Sequence, residues 1–193
     1  MKKIDVVLAV AAGLTAVSGP ALAHVSPPVV LATEAETLKD MTGRTDGPAV
    51  SRVKLDASQR AALREGCGCK ASKVFYRAYV AGPEGGKAAA VVFVSEPTQH
   101  GPVRVAVALD RDGRVSAARV LEVTEESLLW VKPLIDQDLP GDYVGRRGGD
   151  DFGISERFEK MRLESMRRFY AQVVSSLIRR AAVLYDVALR PRD

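Results

Sequence analysis

The chain has 193 residues, 47% of them apolar, and carries 28 Lys and Arg against 24 Asp and Glu, a net charge of +4. That length builds one domain with a real core and falls short of two. The charges are mixed rather than gathered into the dense basic stripe of a nucleic-acid binder, and two Cys exclude a multi-disulfide scaffold.

Residues 1–23 read as a cleavable secretory leader. Lys2 and Lys3 give a positive start, residues 6–17 an apolar run, Gly19-Pro20 a helix break, and Ala21-Leu22-Ala23 the small-x-small pattern that a signal peptidase accepts. The run is shorter than the roughly 20 residues that span a bilayer. The competing reading is a buried N-terminal helix. Cleavage after Ala23 predicts a periplasmic or extracellular protein, a single domain over residues 24–193, with 26 basic and 23 acidic residues.

Residues 24–30 (HVSPPVV) form a Pro-containing extended lead-in, and residues 31–41 have helical composition. Residues 42–48 are turn-rich. Residues 49–55 place Val50, Val53 and Leu55 among polar positions, as a short strand does. Asp56 with Gln59 three positions on marks the start of a helix over 57–65, with Gly66 as its stop. Residues 73–80 and 88–94 are aromatic and β-branched strands joined by a Gly-rich connection. Residues 103–109 alternate with period two, so Val103, Val105, Val107 and Leu109 share a face. A tight turn over 110–113 returns the chain as a strand over 114–123.

From residue 155 to 189 the apolar period becomes helical, through Phe158, Met161, Met166, Phe169, Val173, Val174, Leu177, Ile178, Ala181, Leu184, Tyr185 and Ala188. The stretch exceeds an average globular helix, so a break is expected within it. Its apolar stripe needs a partner, and the open face of the sheet supplies one. The predicted fold is α+β: a curved antiparallel sheet packed by helices, with a long C-terminal amphipathic helix.

The strand–Asp-x-Asp-Gly–strand segment over 103–122 (VRVAVALDRDGRVSAARVLE), with Glu125 close behind, resembles the extracytoplasmic FMN-binding domain family. This family includes the flavin-carrying subunits of the Rnf and sodium-pumping NADH:quinone reductase complexes. The helix–strand–helix–strand–strand order over 31–94 fits the small exported members. Residues 171–185 (AQVVSSLIRRAAVLY) resemble the family's Gly-Ala-Thr-x-Ser-Ser signature running into a helix. Aligned on Ser175 and Ser176, the family's Gly, Ala and Thr fall on Ala171, Gln172 and Val173. In the family that Thr hydroxyl is esterified to the flavin phosphate, and Val173 has no hydroxyl to esterify.

The resemblance implies an exported domain taking part in electron transfer with membrane or periplasmic redox partner proteins, its FMN non-covalent if present. Ser175, Ser176 and Arg179 are the groups left to meet a phosphate. Glu122 and Glu125 match the family's acidic pair and would bond a flavin ring edge, or else are a solvated strand end. Trp130, the single Trp, would stack on the ring or pack in the core. The alternatives are a flavin-free accessory or interaction module of the same fold, and a copper-binding protein using His24 or the Cys67-Gly68-Cys69 turn. That turn itself has three readings: a redox-active disulfide, a soft-metal site, or two surface thiols without a role. The Arg pairs 146–147, 167–168 and 179–180 read as solvated charges. No catalytic triad or phosphate-binding Gly loop is present in the sequence.

Overall fold

In a computed structural model the described residues are 26–46, 48–69, 75–82 and 87–191. The leader and His24 lie outside them, as do residues 70–74.

The structure is an α+β fold. Strands β1 (Pro28–Val30), β2 (Ser51–Lys54), β3 (Phe75–Val80), β4 (Ala90–Thr98), β5 (Gly101–Leu109) and β6 (Val115–Thr124) form one antiparallel sheet. Its order is β1-β6-β5-β4-β3-β2, so the expected meander is its centre and the Pro-containing lead-in caps one edge. Register shifts between Arg104 and Val105 and between Ala108 and Leu109 are bulges, which bend the sheet. The β4–β5 hairpin is longer than the sequence suggested. Residues 97–102 are strand except for a two-residue turn, Gln99-His100, closed by Gly101 at φ +98°. A Cβ on Gly101 would lie 2.3 Å from the Thr124 methyl, so this turn needs Gly for both reasons.

Among the described residues five α-helices accompany the sheet. Helix α1 (Glu34–Thr42) starts at a capping box of Thr33 and Glu36 and ends at Gly43 in the left-handed region. Helix α2 (Ala57–Cys67) starts at the expected Asp56–Gln59 box. It does not stop at Gly66. The stop is Gly68, at φ +61°, and Gly66 serves another purpose: a Cβ there would meet Val183 Cγ1 at 2.7 Å. Helix α3 (Glu125–Asp136) was not legible in the sequence, because Pro133 sits inside it. Thr124 caps it, with Glu125 and Glu126 in the first turn, where the helix dipole favours them.

The expected break in the C-terminal stretch falls between α4 (Glu156–Lys160) and α5 (Ser165–Leu184), where Arg162 adopts φ +48°. Met161 belongs to this break and is exposed rather than part of the apolar stripe. A π-type turn over Tyr185–Leu189 continues α5.

Two cores follow from strand alternation. On one face Val103, Val105, Val107 and Leu109 meet Val174, Leu177, Ile178 and Ala181 of α5, as the period-two reading requires. On the other face Val91, Phe93, Ala106, Ala108 and Leu121 meet Leu38 and Met41 of α1. No helix among the described residues is long and apolar enough to cross a membrane.

Ile178→Ala, at a fully buried position, should cost about 2–5 kcal/mol in chemical denaturation, as large-to-small core changes do. Burial pushes the Tyr143 phenol up to about 12, while its hydroxyl donates to the Gly153 carbonyl at 3.2 Å. The neutral form is therefore favoured by folding. Its contribution is complete below pH 10 and is lost as pH rises towards 12; Tyr143→Phe should flatten the stability profile in that window.

Candidate functional site

A cleft of about 270 Å³ lies between α5, the end of α2 and the far part of β4. Its lining follows from helical spacing. Phe169, Gln172, Val173, Ser176, Leu177 and Arg180 of α5 share one face, and Cys67, Gly68, Cys69 and Glu96 complete the wall. The close approach of Gly66 to Val183 brings the end of α2 against α5 and so sets Cys67 at the cleft.

Cys67 and Cys69 are joined in a disulfide. Of the three readings for this turn, the structure therefore holds the bonded form. Cys67 is buried and Cys69 half-buried, with exposed Gly68 between them. Cys67 Sγ lies 2.8 Å from the Leu63 carbonyl oxygen.

Arg180 corrects the expectation of a solvated charge: its side chain is 8% exposed. Nη2 donates to Glu96 Oε2 at 2.7 Å and Nη1 to the Ser95 carbonyl at 3.4 Å, while Nε is buried without a partner. Burying a guanidinium is costly, and the paired carboxylate offsets much of that cost. The cleft thus carries one cation and one anion and no net field for a dianion.

The residues singled out from the sequence do not converge. Ser176 lines the cleft, but Ser175 is buried and donates to the Gln172 carbonyl within the helix. Arg179 is half-buried with Nε unpartnered and is not in the cleft lining. Glu122 lies on the α1 side of the sheet, in an ion-pair cluster. Arg104 bridges Glu122 at 3.0 Å and Glu34 at 2.5 Å, and Arg77 also reaches Glu34. Glu125 is exposed at the first position of α3. Trp130 packs in a run of rings. His100 lies 5.1 Å from Trp130, Trp130 stacks on Tyr170 at 5.8 Å, and Tyr170 meets Phe169 edge-on at 5.2 Å. The run links the β4–β5 turn to the cleft wall.

His100 itself is fixed by Glu126, whose Oε1 lies 2.7 Å from Nδ1, and by Thr124, whose hydroxyl donates to the His100 carbonyl. Apolar periodicity does not mark this corner, because Pro133 interrupts the local pattern of α3. The sequence signal for it was Thr124-Glu125-Glu126-Ser127, a cap followed by acidic residues.

Val173 is half-buried and faces the cleft. Residues 173–176 lie in mid-helix, so their backbone N–H groups already donate within α5 and form no anion-accepting helix start. Among the described residues no group of three or more His, Cys, Asp or Glu side chains converges as a metal site, and the His24 proposal lies outside those residues.

No family model, curated protein or solved structure matches the chain.

Glu96→Gln should cost about 1–2 kcal/mol in urea denaturation, since it removes the counterion of a buried guanidinium while the isosteric amide oxygen can still accept a hydrogen bond and the Glu96 side, 37% exposed, stays partly solvated. Arg180→Met, which removes the buried charge and keeps the stem, should cost less.

Proposed function

We propose that this chain is an exported domain of electron-transfer type, built on the architecture of the extracytoplasmic FMN-binding family, that works at the α5 cleft with membrane or periplasmic redox partners. The supporting observations are the element order, the central four-stranded meander and, above all, the place of Val173. The position aligned with the family's flavin-bearing Thr opens on a cleft whose apolar wall is Phe169, Val173 and Leu177 and whose polar groups are Gln172, Ser176 and Arg180.

The fit to FMN is divided. Val173 admits no ester, the mid-helix amides offer a phosphate nothing, and Glu96 opposes a second anion beside Arg180. The apolar wall suits part of a planar ring, and the volume stands near the lower end of the roughly 300–1,000 Å³ of ligand sites. The reading that follows is a flavin held non-covalently and by its ring alone. The unbroken helix favours a second reading, a flavin-free accessory module of the same fold that docks on redox proteins.

The test is a fluorescence-quenching titration of the purified protein, freed of any bound flavin, with FMN and with riboflavin. Ring-only binding predicts affinities within about threefold of each other, because no helix N-terminus rewards the phosphate. A much tighter grip on FMN would mean that α5 opens around a phosphate. Absence of binding by either leaves the flavin-free module.

A further inference from the structure

We propose that the Cys67–Cys69 disulfide is a thiol–disulfide exchange site, accepting two electrons from the dithiol of a partner protein. This goes beyond the flavin reading and needs no flavin.

The disulfide does little to hold the fold together. It closes a loop over a sequence separation of 2, and so short a loop removes little freedom from the unfolded chain. The docking of α2 on the rest of the domain is already secured by the Gly66–Val183 contact and by buried Leu63. A bond with so small a structural role nevertheless lines a cleft, beside an exposed Gly68 at which even an added Cβ would touch nothing within 4 Å among the described residues. That open side leaves room for an incoming sulfur.

The two sulfurs are not equivalent. Cys69 is the more exposed and is the one attacked; Cys67 is the buried leaving group. Cys67 Sγ lies 2.8 Å from the Leu63 carbonyl oxygen, yet a disulfide sulfur carries no hydrogen, so in the oxidised protein this contact is not a hydrogen bond. Once reduced, the Cys67 S–H donates to that carbonyl.

The exchange balances. One partner thiolate attacks Cys69 Sγ, forming a mixed disulfide, and the Cys67–Cys69 bond breaks with its electron pair going to Cys67, which takes a proton. The partner's second thiolate then attacks the partner sulfur of the mixed disulfide and frees Cys69, which takes the second proton. Two electrons and two protons pass to the chain as the partner's dithiol becomes a disulfide. Among thiol donors the mechanism selects dithiols. With a monothiol, Cys67 recaptures Cys69 and ejects the donor.

The test uses purified protein under native conditions, with dithiothreitol as the dithiol and reduced glutathione as the monothiol. Reduction is counted by alkylation and mass spectrometry while circular dichroism follows the fold. Reversible two-electron reduction by dithiothreitol with an unchanged spectrum is expected, with no accumulation of a glutathione adduct. Reduction only in denaturant, or loss of the folded spectrum on reduction, overturns the proposal. The reactivity order is read from single variants with oxidised glutathione. Cys67→Ser, which leaves Cys69, should form the adduct at least about tenfold faster than Cys69→Ser, following exposure. Equal or reversed rates overturn the assignment of Cys69 as the more accessible sulfur, on which its role as the attacked one rests. Flavin is absent from every arm, so the result is independent of the riboflavin and FMN titration.

Discussion

The burial of α5 against one face of the sheet is the constraint on which the rest of the structure depends. The helix brings Val174, Leu177, Ile178 and Ala181 onto Val103, Val105, Val107 and Leu109, and a sheet face of that composition is stable only when covered. Once this contact is made, the rotation of α5 about its axis is fixed. So is the destination of every other side chain on it. Positions 169, 172, 173, 176 and 180 turn towards α2 and the end of β4, whereas 174, 178 and 181 face the sheet core, and Leu177 borders both.

The consequence for the flavin-binding resemblance is geometric. A phosphate needs free amide hydrogens at a helix start, and α5 begins at Ser165, well before the segment that resembles the family signature. Ser175 is turned into the protein and Ser176 out to the cleft, so adjacent residues that would act together in a loop are separated by the helical step of about 100° per residue. Val173 remains at the cleft, which keeps an apolar surface where the family places its flavin bond.

Charge is distributed with the same economy on both faces. Arg180, buried under the sheet's end, is held by Glu96 and the Ser95 carbonyl; across the sheet, Arg104 joins Glu122 to Glu34 and so ties β5 and β6 to α1. Glu122 is committed there, on the opposite side from the α5 cleft. The aromatic run from His100 through Trp130 and Tyr170 to Phe169 connects the cleft wall to the β4–β5 turn, and gives the single Trp a packing role. The arrangement leaves the Cys67–Cys69 bond as the redox-capable covalent group at the cleft.

Local signals in the sequence determined the α+β class, the central meander and the amphipathic C-terminal stretch with its break. Each rests on a short-range rule: period two in 103–109, the Asp56–Gln59 box, the helical period beyond 155. Helix α3 escaped because Pro133 contradicts its local pattern and only packing against α5 and the sheet overrides it. The helix end at Gly68 rather than Gly66, the burial of Arg180 and the separation of Glu122 from the serines were decided by tertiary structure alone. They depend on which faces meet across the sheet and on how closely α2 approaches Val183, and those are contacts between residues too far apart in the chain for any local pattern to encode.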